Sequence, residues 1–374
     1  MRVLHFFKTY HPDTFGGVER TIHAIAKGSA AHGIETDVLS LSRSPSLNTC
    51  RFDGHMAHKA TLDLEFASTG FSRDAFTLFR QLSAKADIIH YHFPWPFMDL
   101  VHLVTPPRKP TLVTYHSDIV KQKTLLRLYR PLMNRFLGDV DRIVATSENY
   151  VATSPVLSRF SDKIDVIPLG LDERDYPRAS ATLLQSWRER FQRPFFLFVG
   201  VLRYYKGLQY LLRAAQGLVA DIVIIGEGPM EAQLRSEAQA LGLDNVHFLR
   251  QRSDLDKAAL LELCRAFVFP SHLRSEAYGL SLIEAAMFAK PMISCEIGTG
   301  TSFVNQDQVT GLVVLPADGV ELKRAMEVLL GDPVKAAQYG QNARGHYEKQ
   351  LTAARMAERY VEQYREIMLM RDRH

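Results

Sequence analysis

Phe267-Val-Phe-Pro-Ser-His-Leu-Arg-Ser-Glu276-Ala-Tyr-Gly279-Leu-Ser-Leu-Ile-Glu284-Ala-Ala-Met287 is the stretch on which the reading of this chain turns. Phe267 to Phe269 is a short apolar run of strand type, a polar loop follows, and a helix opens near Gly279. One carboxylate, Glu276, precedes the turn, and a second, Glu284, lies about a turn and a half into the helix. The first turn of that helix offers free N–H groups and the positive end of its dipole. A diphosphate fits there, with a carboxylate on either side to bind hydroxyls. Gly279 lets a ligand approach the backbone closely. A nucleotide sugar has this arrangement of groups. The spacing alone equally fits a plain loop and helix, with one Glu beside the dipole and the other on a solvated face.

The rest of the chain weighs against that plainer reading. With 374 residues, 46% hydrophobic and 23% charged, it is long enough for two domains of ordinary α/β composition. Cys50, Cys264 and Cys295 are too few for a disulfide framework and lack metal-site spacing, so a reduced, cytoplasmic setting is expected. The opening Met1-Arg-Val-Leu-His-Phe-Phe reads as a strand cut short by Lys8, not as a signal peptide. No stretch approaches the roughly 20 apolar residues of a membrane span. A formal charge of +4 is too mild to argue for nucleic acid.

Along the first half, Val3 to Phe7, Thr36 to Leu41, Asp87 to His92, Leu112 to Tyr115 and Arg142 to Thr146 are short apolar runs, most separated by helix-length segments. This alternation predicts a parallel sheet covered on both faces, with ligands at the C-terminal strand ends. Gly16 and Gly17 follow the first strand and precede a helix, but the pattern is not G-x-G-x-x-G. They make either a tight loop or a close approach to donor phosphates or acceptor. His116 stands at a strand end, as do His90 and His92.

Between Lys121 and Leu137, Leu125, Leu128, Leu132 and Phe136 recur at helical spacing among Lys121, Lys123, Arg127 and Arg130, and Pro131 is expected to break or kink the helix. Such a segment is a solvated face or a surface that meets anionic lipid. Val166-Ile-Pro-Leu-Gly170 divides two alternating halves, and Tyr176 to Arg193 reads as polar and helical. In the second half, Phe195 to Val199, Asp221 to Ile225, Val246 to Leu249 and Pro291 to Ser294 read as strands. Gly200 to Gly207 carries Arg203 and Lys206, cations suited to phosphate, and Gly226-Glu-Gly228-Pro makes a turn. From Leu322 the chain is helical by period, ending in an amphipathic helix over about Thr352 to Met370. Asp139-Val-Asp141 is a three-letter pattern without nucleotide context, and no metal is expected there.

Embedded in Pro-Ser-x-x-x-Ser-Glu-Ala-Tyr-Gly-Leu, the Glu276 and Glu284 pair resembles the E-x7-E signature of retaining glycosyltransferases of family 4, with the GT-B fold. Gly-Gly-x-Glu after the first strand, Lys206-Gly207 and the Gly226 to Pro229 turn are similar to that family too, so the resemblance covers essentially the whole chain. It implies an α/β architecture of two Rossmann-like domains with a cleft between them, 1–170 binding the acceptor and 171–351 the nucleotide sugar. The last helix, about 352–374, would cross back to the first domain. It implies catalytic roles for His116, Glu276, Lys206 and Arg203, the last standing in for an Arg that the family places where Val201 lies. Donor contacts would come from Gly16, Gly17, Gly279, Leu280, Ser281, Glu284 and Gly228, with Glu276 at the sugar and Glu284 at the ribose. Lys121, Lys123, Arg127 and Arg130 would meet acceptor or membrane.

In His5-Phe-Phe-Lys-Thr-Tyr10, Leu202-Arg-Tyr-Tyr-Lys-Gly207 and Glu296-Ile-Gly-Thr-Gly-Thr301 the chain looks most like bacterial mannosyl- or rhamnosyltransferases of O-antigen assembly. The expectation is a metal-independent, cofactor-free enzyme that moves a hexose from a nucleotide diphosphate sugar, GDP-linked by preference, to a lipid-linked saccharide at the inner face of a membrane. The alternatives are a nucleotide-sugar-binding regulatory protein without turnover and a GT-B epimerase or phosphorylase.

Overall fold

The computed structural model describes residues 1–45, 49–67, 69–119 and 123–371. The chain forms two compact units, Met1–Gly170 with Ala353–His374, and Leu171–Thr352. Among the described residues, the first unit contains β1 (Arg2–Phe6), β2 (Glu35–Ser42), β3 (Thr49–Phe52), β4 (His55–Thr61), β5 (Leu64–Phe66), β6 (Thr69–Phe71), β7 (Ile88–Phe93), β8 (Thr111–Tyr115), β9 (Arg142–Ala145) and β10 (Ile164–Val166). The second contains β11 (Phe195–Val199), β12 (Asp221–Ile225), β13 (Val246–Arg250), β14 (Ala266–Phe269), β15 (Met292–Cys295) and β16 (Gly311–Val314).

The sheet of the first unit runs β10-β9-β8-β7-β1-β2-β4-β3, and that of the second β13-β12-β11-β14-β15-β16. All pairings in these two sheets are parallel except β3 with β4, and β5 and β6 form a separate antiparallel pair. Parallel strands need crossover connections, and here these are mostly helices that cover both faces. The central strands of the second unit are accordingly apolar and buried throughout: Phe196, Leu197 and Phe198 on β11, Ile222, Val223 and Ile224 on β12. The strand expectations there hold to within a residue or two. β16 was not expected. It opens on Gly311, where a side chain would run into the carbonyl of Met292 on β15.

Three further expectations need correction. The strands β3 and β4 escape a search for apolar runs because β4 carries His55, His58 and Lys59. Each is partnered: His55 with the Tyr10 hydroxyl, His58 with Asp37, and Lys59 with the Tyr10 carbonyl and Ser40. Pro131 neither breaks nor ends its helix, which runs from Lys123 to Asp139 and anchors itself through buried Met133, Phe136 and Leu137. The helical reading of Tyr176 to Arg193 shrinks to Ala181–Arg190, capped by the Ser180 hydroxyl accepting from the Leu183 amide. Lys121 lies outside the described residues, as does the side chain of Lys123.

The face of the first sheet beneath the terminal helix Ala353–Arg371 is polar. His5 on β1 pairs in register with His90 on β7, and His92 with Thr114 on β8. The His90 ring bonds the Tyr364 hydroxyl at 2.7 Å and the Thr114 hydroxyl at 2.7 Å, and Thr114 bonds the Tyr360 hydroxyl at 2.8 Å. Polar groups without water are tolerated only when paired, and these bonds fix the helix onto the strands. Burial holds His5 and His116 down to about 3 and His90 and His92 well below the ordinary histidine range, so all four are neutral. No helix among the described residues is long and apolar enough to cross a membrane.

Tyr364→Phe leaves one His90 nitrogen buried without a partner. It is expected to lower the unfolding free energy by about 1–3 kcal/mol, read from urea denaturation. Acid should act through the same layer. Below the unfolded histidine value of 6.5, the unfolded chain takes up protons that the folded sheet refuses until about 3. Stability therefore falls as pH drops through that window, by up to about 1.4 kcal/mol per pH unit for each buried histidine. A denaturation midpoint unchanged between pH 7 and pH 5 would contradict this.

Candidate active site

In the second sheet, β11 leads outward to β12 and β13, and the chain then returns to lay β14 on the other side of β11. The crevice outside the carboxyl ends of two such strands is where open α/β sheets bind ligands. The loops leaving β11 and β14 carry the residues singled out from the sequence.

After β11, residues 200–207 end in a 3-10 turn Tyr204–Lys206 and Gly207 at φ 70°. An ideal Cβ on Gly207 would sit 2.0 Å from the carbonyl oxygen of Pro270, so only glycine lets this loop lie against the end of β14. The contact brings Lys206 to Glu276. The Lys206 ammonium donates to Glu276 Oε2 at 2.5 Å and stands 4.5 Å from the centre of the Phe269 ring. Both side chains are buried, and the Ser271 hydroxyl donates to the same Oε2 at 3.3 Å. Among the described residues, Glu276 Oε1 accepts no hydrogen bond.

The helix Leu280–Met287 is N-capped by Gly279 at φ 87°, a backbone conformation that favours glycine. The first internal bond runs from the Leu282 amide to the Gly279 carbonyl, and the amides of Leu280 and Ser281 bond to no described residue. Glu284, on the same helix, is buried. Its Oε1 accepts from the Tyr176 hydroxyl at 2.8 Å and from the Lys257 ammonium at 3.1 Å. Neither Tyr176 nor Lys257 was singled out from the sequence. They lie 108 and 27 residues from Glu284, and no local pattern links them to it.

The loop after β15 is clamped to the loop after β14. Arg274 donates to the Gly298 carbonyl at 2.6 Å, the Gly300 amide bonds the Ala277 carbonyl at 2.9 Å, and a side chain at Gly300 would strike the Tyr278 ring. Gly228 packs against the backbone of Leu202, so its lack of a side chain serves the fit between two loops. Arg203 is exposed on the β11 loop, and Val201 is half-exposed.

In the first unit the strand order reverses between β1 and β7. Gly16 caps the helix Gly17–Ala30, and its missing Cβ leaves room for the Glu19 carboxylate, 2.4 Å from where a Cβ would stand. Glu19 Oε1 accepts from the hydroxyls of Thr9 and Thr14, both at 2.8 Å, and so ties the glycine-containing loop to its helix. A cavity of about 460 Å³ opens beside that loop, lined by Lys8, Thr9, Asp13, Thr14 and, from after β2, Arg43 and Ser44. Its charged residues went unnoticed in the sequence because they are scattered.

His116 follows β8, and its Nε2 bonds His92 Nδ1 at 3.0 Å. Asp139 and Asp141 have structural partners: Asp139 bonds His102 at 2.7 Å, and Asp141 accepts from both the amide and the hydroxyl of Thr111. His5, His90 and His92 bring ring nitrogens within 4.8 Å of one another, but both nitrogens of His90 are engaged by Tyr364 and Thr114.

Two family models match the chain, "Glycosyltransferase Family 4" over residues 15–175 and "Glycosyl transferases group 1" over residues 181–346. The chain is 54% identical over 353 residues to the D-rhamnosyltransferase WbpZ of Pseudomonas aeruginosa, covering 94% of this chain and 93% of that protein. It is 50% identical over 364 residues to the O-antigen chain mannosyltransferase C of Escherichia coli, covering 97% and 98%. Its fold is that of sucrose-phosphate synthase from Thermosynechococcus elongatus, with a TM-score of 0.82 at 21% identity over 99% of both chains. The fold of the Anabaena protein HepE, solved with UDP, matches with a TM-score of 0.77 at 18% identity, over 98% of this chain and 100% of that one. Two sheets with reversed strand order, the two family models and relatives this similar along their whole length lead to one conclusion: the chain belongs to the family 4, group 1 glycosyltransferases and has the GT-B fold.

Proposed function

We propose that the protein is a retaining hexosyltransferase that takes a mannose- or rhamnose-type sugar from a GDP-linked donor and places it on a lipid-linked saccharide during surface-polysaccharide assembly. The sugar class follows the two relatives, one a D-rhamnosyltransferase and the other an O-antigen chain mannosyltransferase. The observation that carries the donor site is the buried Lys206–Glu276 pair beside the two open amides of the helix Leu280–Met287.

In this reading the diphosphate lies on the amides of Leu280 and Ser281. Lys206 supplies a point charge and Arg203 a guanidinium as negative charge develops on the leaving group, an electrostatic task. Glu276 Oε1 takes a hydroxyl of the transferred sugar. Glu284, held by Tyr176 and Lys257, takes the ribose hydroxyls. His116 faces a sugar hydroxyl. The acceptor oxygen forms its bond to the anomeric carbon on the face from which the phosphate leaves. The bond to phosphate breaks, and the acceptor's proton passes to that phosphate oxygen, so no protein base is assigned. Gly16, Gly17 and Gly228 serve this chemistry by shaping loops.

The 460 Å³ cavity, with Lys8, Asp13 and Arg43 on its wall, suits a saccharide acceptor. Leu125 and Leu128 are exposed on the helix Lys123–Asp139, Leu128 at 77%, with Arg127 and Arg130 exposed beside them. That surface suits peripheral contact with an anionic membrane.

Among GDP, UDP, ADP and dTDP, GDP is expected to raise the thermal midpoint most and equally with or without Mg²⁺, since a ligand that binds only the folded state stabilises it by mass action. Lys206→Ala should weaken GDP-sugar binding by roughly 2–3 kcal/mol. Because it also leaves Glu276 as an unpaired buried carboxylate, affinity is to be read by calorimetric titration well below the variant's melting temperature. Equal affinity in both proteins removes Lys206 from the site. Arg127→Glu with Arg130→Glu should abolish co-sedimentation with vesicles of phosphatidylglycerol and leave GDP binding untouched.

A further inference from the structure

The histidines of the first sheet do more than fill its core. His5 Nδ1 lies 2.9 Å from His92 Nε2, and His92 Nδ1 lies 3.0 Å from His116 Nε2. The ring centroids are 5.2 and 5.3 Å apart, with interplanar angles of 16° and 21°. Those separations are about the largest that such N···N distances permit, so the rings meet edge to edge with each nitrogen aimed at the next. By contrast, His90 lies face to face with His92 at 4.4 Å. Both nitrogens of His90 bond hydroxyls, so it is no link in that chain.

Two bonds in line through one imidazole impose an ordering rule. A neutral imidazole has one N–H and one lone pair. His92 therefore cannot donate at both ends, which needs a cation, nor accept at both, which needs an anion. Its complete burial makes either charge costly. Two arrangements remain. In one, His116 Nε2–H donates to His92 and His92 Nε2–H donates to His5, leaving His116 Nδ1 as a bare acceptor. In the other, every bond runs the opposite way and His116 Nδ1 carries the hydrogen. His116 is the most exposed of the three at 9%, and its Nδ1 bonds to no described residue. That nitrogen is the end of the chain left to meet a ligand.

We propose that His92, backed by His5, is a positioning residue that holds His116 in a single neutral tautomer and so fixes whether its Nδ1 donates to or accepts from a sugar hydroxyl. This rests on the assignment of His116 to a sugar, but its structural half can be read in the free protein. Outer partners that fix the tautomer of metal-ligating histidines are worth about 10- to 100-fold when removed, and a loss of that order is expected here.

The test uses the full chain labelled with ¹⁵N-histidine, with the His116 signals assigned by their loss in His116→Phe. Two-bond ¹H–¹⁵N spectra of the free protein should show His116 as one tautomer. In His92→Phe its two nitrogens should average toward a common shift. With GDP-sugar and acceptor, His92→Phe should lose about 10- to 100-fold in kcat with the donor KM little changed, and His92→Gln, which restores a bonding partner, should recover most of that loss. Should His92→Phe fail to fold, His5→Phe is the second variant. It keeps the inner bond but frees its direction, and mixed tautomers with a smaller loss in kcat are expected. A wild-type His116 that already averages between tautomers, or a folded His92→Phe or His5→Phe whose His116 spectrum and kcat match wild type, overturns the proposal. If instead His116→Phe transfers sugar normally while the tautomer results hold, the assignment of His116 to a sugar fails and the ordering of the chain stands.

Discussion

A parallel sheet whose strand order reverses brings together two strand ends whose following loops leave in different directions, and the crevice left there has no connection lying across it. Both sheets of this protein are built around that constraint. In the second unit it falls between β11 and β14, and their loops deliver Lys206 and Glu276. In the first it falls between β1 and β7, and the His5–His92 bond spans it. The helix that opens at Gly279 and the loop after β15 are placed relative to that gap by contacts with the β14 loop.

The second unit meets the cost of burying charge with matched pairs. Glu276 is held by Lys206 and Glu284 by Lys257, with Ser271 and Tyr176 adding a hydroxyl bond to each. A buried pair gains little net stability, since desolvating two ions offsets most of their attraction. What it provides is a carboxylate of fixed orientation in the free protein. On the sheet face beneath its terminal helix, the first unit meets the same problem without charge, through neutral imidazoles and hydroxyls.

Which parts were legible in the sequence follows from how local their causes are. The strands β11, β12 and β14 read as apolar runs because helices cover both their faces. Glu276, Gly279 and Glu284 were legible because one loop and one helix carry all three, and Lys206 because a glycine marks the turn after it. The strand β4 was not, since its polar residues find partners on β2 and in the loop after β1. Pro131 does not break its helix because tertiary packing of Met133, Phe136 and Leu137 outweighs a local helix-breaking tendency. Tyr176, Lys257 and His5 escaped, and His92 was legible only as a residue at a strand end, for one reason. Each acts on a residue far away in the chain, and a sequence displays neighbours along the backbone, not across a sheet.

Gly207 bears no functional group, yet its backbone is pressed against the carbonyl of Pro270, on the strand end from which Glu276 hangs. Lys206 and Glu276 are therefore two projections of one rigid block and do not adjust independently. In a collection of loss-of-function alleles, a substitution at Gly207 would imitate damage to the lysine or the glutamate. A genetic screen would score this residue as catalytic, although it has no side chain with which to act on a substrate.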